Sequence, residues 1–241
     1  MSGLYRISTE EIFPILNDKK QLLRKYCSIL AGYSGKIRLT GPSDPEVLWN
    51  EHILDSCYAV PLLSNCRARI LDLGSGGGLP GIVWAICLPE LEVHLLDSIK
   101  KKCTALEEIV SELSLPNVRV ICARSEELSS DSRENYDLVA ARAVTATGIL
   151  LEYFAPLVKV GGKALAFKGP GYLSEINELD GKWRALGFSK PKVETYSLNS
   201  SRHFFLLWDK IAVCSPAFPR RPGMAEKKPW WRCNFDHSCN D

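Results

Sequence analysis

RILDLGSGGGLPGI, residues 69–82, is an apolar run that breaks into glycines and restarts on a proline. Ile70, Leu71 and Leu73 read as a buried strand, Gly74 to Gly78 as a tight loop, and Leu79-Pro80-Gly81 as a helix start, where proline's missing N–H costs little. A strand, a glycine turn and a helix N-terminus in succession make a nucleotide cradle. Glycines let the backbone approach a ligand closely, and the unpaired N–H groups of the first helical turn face it. Gly74, Gly76 and Gly78 give G-x-G-x-G, and the position where the dinucleotide pattern G-x-G-x-x-G needs glycine is Leu79. That spacing counts against a pyrophosphate cofactor and leaves room for S-adenosylmethionine, whose sulfonium carries no phosphate. A purely structural tight turn has the same look, so the flanking chain must separate the readings.

Downstream of the loop, apolar strands alternate with helical patterns, the signature of a parallel α/β sheet. Leu91 to Leu96 is a second strand ending at Asp97, which lies 23 positions after Gly74. That is close to the ~20 expected for an acid that accepts hydrogen bonds from ribose hydroxyls. Asp97 also fits as an N-cap of the following helix, 99–113. A third strand, 118–122, leads into the polar loop Ala123-Arg124-Ser125-Glu126-Glu127, and a fourth, 136–141, ends in Arg142. A helix from about 145 to 158, Gly161-Gly162 and a fifth strand, 164–167, closing on Lys168 follow, with two further strands at 192–198 and 203–208. Gly74, Asp97, Ser125, Glu126, Arg142 and Lys168 all fall at carboxyl ends of strands, where open parallel sheets bind ligands.

Upstream, no strand pattern appears. Ser8-Thr9-Glu10-Glu11 is a capping box opening a short helix through Leu16, and Asn17-Asp18 restarts a second with Leu22, Leu23, Tyr26, Ile29 and Leu30 at helical spacing. Ser43-Asp44-Pro45-Glu46 caps a third. Three parts are therefore expected: a helical cap over 1–65, a nucleotide-binding core over 66–210 and a basic, flexible tail over 211–241. The 241 residues, 46% of them hydrophobic, describe a soluble globular chain. No apolar run approaches the ~20 residues of a membrane span and the N-terminus does not read as a signal peptide, so a cytoplasmic protein without a membrane partner is expected. Nine cysteines without a C-x-x-C argue for reduced thiols. Cys214, Cys233, His237 and Cys239 match no common zinc spacing, so no metal is expected. A net charge of +2 means that any nucleic acid must meet a local basic patch.

The segments HILDS at 52–56, GSGGGLPGI at 74–82, LLDS at 95–98, RSEEL at 124–128, ARAV at 141–144, LAFKG at 165–169 and RH at 202–203 stand in an order and spacing that resemble the bacterial RsmG/GidB family. GLPG is the most specific piece. The tail PRRPGMAEKKPW at 219–230 also looks like the basic C-terminal extension of some members. Glu51 stands where the family commonly has arginine and Arg38 where it commonly has asparagine, both in the cap. The resemblance implies a class I methyltransferase, a Rossmann-like, mostly parallel seven-stranded sheet with helices on both faces. It implies methyl transfer from S-adenosyl-L-methionine to guanine N7 of 16S ribosomal RNA, naked or in an assembling small subunit, with no obligate protein partner. By carry-over Gly74 and Leu79 contact the cofactor, with Gly76, Gly78 and Asp97 around them. Ser125 and Glu126 hold the adenine end, and Arg142 sits beside the reactive centre as the catalytic candidate and a cofactor contact.

The residue inventory is consistent with that chemistry. Methyl transfer is an in-line displacement, and guanine N7 already offers a lone pair, so no general base is obligatory. Ala140-Ala141-Arg142-Ala143 stands where enzymes acting on exocyclic amines carry Asp/Asn-Pro-Pro-Tyr/Phe, and there is no Pro-Cys nucleophile. Arg142 also fits a structural salt bridge, Lys100-Lys101-Lys102 a solvated helix face, and His52 a satisfied core histidine. RNA contact is expected from Lys168, Arg202, His203, Arg220 and Arg221, with Trp230 and Trp231 as exposed stacking surfaces. Two rival functions use similar parts. Leu79 in place of a third glycine argues against a nicotinamide-dependent oxidoreductase, and the intact Gly74, Gly76, Gly78 and Asp97 argue against a non-catalytic RNA-binding protein.

Overall fold

The computed structural model describes residues 5–63, 68–128 and 132–232. Cys233, His237 and Cys239 lie outside the described residues. Strand β1 (Tyr5–Arg6) precedes α1 (Thr9–Gly32), one 24-residue helix where the sequence suggests two. Asn17 and Asp18 do not break it because Ile12, Leu16, Leu23, Tyr26, Cys27 and Leu30 form one buried stripe across them. Pro14 deprives the Glu10 carbonyl of a partner, and both residues are exposed, so solvent takes the bond. Glu11 accepts from the Ser8 N–H at 2.8 Å, completing the expected capping contact.

The third helical pattern is helix α2 (Pro45–Leu48), a π turn over Trp49–Ile53 and helix α3 (Leu54–Cys57), in direct succession. Asp44 caps it, accepting from the Glu46 and Val47 N–H groups at 2.8 and 3.1 Å. The π turn carries His52, and such turns collect at functional sites.

The core follows as β2 (Arg69–Leu73), α4 (Gly81–Cys87), β3 (Glu92–Asp97), α5 (Lys100–Glu112), β4 (Val118–Cys122), β5 (Tyr136–Arg142), α6 (Thr147–Phe154), β6 (Val158–Lys168), α7 (Tyr172–Leu179), β7 (Lys192–Leu198), β8 (Ser201–Asp209) and α8 (Met224–Lys227). The sheet order is β1-β7-β8-β6-β5-β2-β3-β4, with β8 antiparallel to both neighbours. The seven expected strands are present, and β1 adds a two-residue eighth strand beside β7. β6 is longer than expected, since Gly161-Gly162 lies within it and the register with β5 shifts there. The chain runs from β2 outward through β3 and β4 and then returns to β5 on the other side of β2. The topological switch point therefore lies between β2 and β5.

Two hydrophobic clusters cover the faces of the sheet. One joins residues 7–63 to α4 and α5, with Tyr26, Trp49, Trp84 and Leu106 among its members. The other joins α6 and α7 to the C-terminal segment through Phe154, Trp183, Trp230 and Trp231. Residues 211–232 are thus packed, which corrects the expectation of a flexible tail over the described part. Arg133 donates to the Phe218 and Cys214 carbonyls at 2.8 and 3.2 Å, and Trp230 Nε1 donates to the Gly148 carbonyl at 2.8 Å. The six described cysteines are free thiols, five of them buried. No helix among the described residues is long and apolar enough to cross a membrane.

Candidate active site

The glycine loop is shaped by its own backbone. Gly74 and Ser75 donate to the Leu96 carbonyl at 2.8 and 3.0 Å, and Gly78 donates to the Ser75 carbonyl at 2.7 Å. Gly74 has φ +74°, and a Cβ added there would lie 2.7 Å from Val144 Cγ2, so the position requires glycine. Asp97 ties the loop to the next helix: Oδ2 accepts from Gly76 N–H at 3.0 Å and Oδ1 from Ile99 N–H at 2.9 Å. Each carboxylate oxygen keeps a second lone pair for a ribose hydroxyl.

Beneath the loop, Asp72 is fully buried and accepts from the first N–H of α4, that of Gly81, at 2.9 Å. Burial pushes its carboxyl up to about 7, against the opposing pull of the Gly81 N–H, Arg142 and the Ser75 hydroxyl. A Cβ on Gly81 would meet Leu95 Cδ2 at 2.4 Å and Asp72 Oδ2 at 2.8 Å, which fixes glycine at the helix start.

Two cavities meet over this loop. The larger, about 330 Å³, is lined by Gly74, Asp97, Ser125 and Glu126, and also by Tyr153 and Glu226. The smaller, about 260 Å³, is lined by Leu39 to Gly41, His52, Gly74 to Gly77, Leu79 and Arg142. Gly74, Lys102 and Ala143 border both. Ile99 and Val144, which are 49% and 38% exposed, line the larger cavity and offer apolar surface to a flat ring.

Arg142 ends β5 at the floor of the smaller cavity. Its Nη1 donates to Asp55 Oδ2 at 3.1 Å and to His52 Nδ1 at 3.3 Å. A guanidinium only donates, so His52 Nδ1 accepts and the neutral ring carries its proton on Nε2, which is buried without a hydrogen-bond partner. Burial, then the Arg142 charge, pulls the His52 pKa below its ordinary value, which keeps the ring neutral. Asp55 also accepts from the Tyr196 hydroxyl, and the His203 ring stacks on Tyr196 at 5.2 Å. The first 63 residues, β5, β7 and β8 thereby converge on one buried acid.

The structure brings Gly74, Gly76, Leu79, Asp97, Ser125, Glu126 and Arg142 to the cavity walls. Gly78 lines neither. Its φ of +92° and the 2.4 Å that would separate an added Cβ from Ile82 Cδ1 give it a turn-packing role. Lys168 is turned inward, donating to Glu175 Oε2 at 2.8 Å and the Thr145 carbonyl at 3.0 Å, and so holds the loop after β5 instead of facing RNA. Arg220 is engaged by the buried Glu152 through Nε at 2.9 Å and Nη2 at 2.6 Å. Trp230 and Trp231 are 1% and 6% exposed and cannot stack on bases as expected. Arg202 and Arg221 are exposed. Sequence reasoning reads Lys102 within a lysine run that is solvated or meets RNA phosphate, and misses Asp55, Tyr153 and Glu226. Asp55 lies in the HILDS run and Lys102 in the lysine run, but no local pattern marks Tyr153 or Glu226.

The residues fit an S-adenosyl-L-methionine site: a glycine cradle that a Cβ would fill, an acid at the end of β3 and an apolar slot beside it. The family model GidB, described as rRNA small subunit methyltransferase G, matches residues 19–205. Ribosomal RNA small subunit methyltransferase G of Carboxydothermus hydrogenoformans is 36% identical over 219 residues, 89% of this chain and 93% of that protein. Its counterpart from Pseudothermotoga lettingae is 33% identical over 230 residues, 95% of this chain and 100% of that protein. Among solved structures, a predicted O-methyltransferase from Agrobacterium tumefaciens superposes with TM-score 0.54 at 14% identity, over 68% of this chain and 83% of that chain, a likeness of fold. The glycine cradle and the match across 19–205 agree, and the chain belongs to the GidB family of rRNA small subunit methyltransferases, enzymes that use S-adenosyl-L-methionine.

Proposed function

We propose that the protein transfers the methyl group of S-adenosyl-L-methionine to N7 of a guanine in 16S ribosomal RNA, free or in an assembling small subunit, in the cytoplasm. The observation that carries the choice of N7 is the lining of the smaller cavity, which includes no Asp or Glu among the described residues. Its histidine is engaged by Arg142 at one nitrogen and buried at the other. A nucleophile that had to lose a proton would find no base there, whereas guanine N7 needs none.

When bound, the cofactor supplies an electrophilic methyl on a sulfonium. Asp97 and the apolar pair Ile99 and Val144 would hold its nucleoside half in the larger cavity, and Gly74, which borders both cavities, would lie between that half and the transfer end. Ser125 and Glu126 bound the adenine side. Arg142 borders the purine. N7 methylation leaves the ring positively charged, which a bare guanidinium would oppose; the Asp55 carboxylate at 3.1 Å offsets that charge and leaves N–H groups for guanine O6 or a phosphate. Leu39 to Gly41 and His52 of the helical cap then cover the transfer end, the sheet from β2 onward forms the catalytic unit, and Lys102, Arg202 and Arg221 are the cations we assign to RNA backbone.

Incubation with labelled S-adenosyl-L-methionine and unmodified small-subunit RNA or particles, followed by mapping of the modified base, tests this. Label at guanine N7 is expected; label confined to protein or small molecules overturns it. At saturating cofactor, Arg142→Ala is expected to lower kcat by roughly 10²-fold. A wild-type kcat removes Arg142 from the chemistry.

A further inference from the structure

One wall of the larger cavity comes from the C-terminal segment, outside the matched family region. After β8 the chain crosses α6 and brings Glu226 to the cavity beside Tyr153, whose hydroxyl donates to Glu226 Oε1 at 2.7 Å. The segment is fixed in place on both sides of Glu226. Arg220 pairs with Glu152, which is 1% exposed, and Trp231 lies so close to Gly148 that a Cβ there would meet its ring at 2.4 Å. The Trp231 carbonyl accepts from Lys182 Nζ at 2.5 Å. The Glu226 carboxylate is therefore held at a set position.

A carboxylate only accepts hydrogen bonds. The methyl donor offers donors in three places: the amino group of its methionine half, the ribose hydroxyls and the exocyclic amine of adenine. Glu226 lines the larger cavity and not the smaller, which separates it from the transfer end. Asp97, bound to the glycine loop at the end of β3, takes the ribose hydroxyls in the reading proposed above. The remaining donor is the adenine amine. Glu126, the other acid near this end, accepts from the Ser125 hydroxyl at 2.8 Å and is the competing acceptor that the test below separates from Glu226. We propose that Glu226, oriented by Tyr153, accepts a hydrogen bond from the adenine exocyclic amine, which makes the C-terminal segment a specificity element of the cofactor site. This rests on the reading that the larger cavity takes the adenosine.

The test compares S-adenosylhomocysteine with S-inosylhomocysteine, in which an oxygen replaces that amine, by calorimetric titration of the full-length protein. Wild type is expected to prefer the adenosyl compound by at least tenfold, since the inosyl oxygen would face the carboxylate. Glu226→Ala, at an exposed position, should reduce the preference below about threefold mainly by weakening the adenosyl compound. Tyr153→Phe should fall between, and Glu126→Ala should keep the preference. Unliganded melting temperatures confirm folding of each variant. A preference retained in Glu226→Ala, or lost in Glu126→Ala instead, overturns the assignment while leaving methyl transfer to guanine standing. Wild type that binds neither compound overturns both the assignment and the cavity reading beneath it.

Discussion

Gly74 and Glu226 line one cavity from two regions of the chain that are built by different means. The glycine loop is held through its own backbone N–H groups, by partners within the loop and at the end of β3: Gly74 and Ser75 donate to the Leu96 carbonyl, Gly76 to the Asp97 carboxylate and Gly78 to the Ser75 carbonyl. The C-terminal segment is held by side chains across more than fifty residues: Arg220 on Glu152, Trp230 and Trp231 on Gly148, Arg133 on Phe218. The first construction depends on positions where no side chain fits. The second depends on a few side chains that nothing else can replace.

Five substitutions break or sharpen this contrast. The largest effect is expected at Arg220→Ala, which leaves Glu152 buried without its guanidinium and costs about 3–5 kcal/mol in urea unfolding. A loss under 1 kcal/mol would mean that the segment is not held by that pair. On the loop side, Gly74→Ala combines a φ of +74° with a 2.7 Å approach to Val144, and S-adenosylhomocysteine affinity should fall at least tenfold. Gly161→Ala has a similar φ, +86°, and open space around it; it should cost about 1 kcal/mol of stability and leave affinity unchanged. Equal effects from the two glycines would show that backbone strain, and not the fit to Val144, governs the loop.

The loop also carries a titrating acid. Asp72 goes from 3.8 in the unfolded chain to about 7 in the fold, so between those values the folded state holds the extra proton. Its contribution is fully present below pH 4 and is lost as pH rises through 7, with a slope of up to about 1.4 kcal/mol per pH unit. Urea midpoints measured from pH 4 to 8 should show Asp72→Asn lacking that decline; parallel curves for the two proteins would refute it. Arg221→Ala, beside Arg220 but exposed, should change stability by less than about 0.5 kcal/mol. If Arg221 touches phosphate, the same variant should also lower the salt slope of RNA binding by about one.

The contrast explains what can be read in advance. The strand, loop and helix around Gly74, the acid at Asp97 and the positions of Ser125, Glu126 and Arg142 follow from periodicity and spacing, because their partners are close in sequence or fixed by the sheet. The sites of Lys168, Arg220, Trp230 and Trp231 are misread because a cation or an aromatic in a proline-broken stretch looks the same whether it meets solvent or a half-buried Glu175, a buried Glu152 or Gly148. Asp55 stands in a helix whose π turn alters the phase by which its face would be judged. The same limit hides the continuity of α1, where the buried stripe overrides the apparent stop at Asn17-Asp18.

The placement of Trp231 against Gly148 carries a consequence for how the enzyme is made. During synthesis N-terminal regions fold first and the C-terminal residues emerge last. Until residues 211–232 are released, Glu152 lacks Arg220 and the groove above Gly148 lacks its indole, although the glycine loop and all eight strands are already out. The glycine loop and the strands therefore leave the ribosome before the segment that carries Glu226, and the larger cavity gains that wall only when the segment docks on α6.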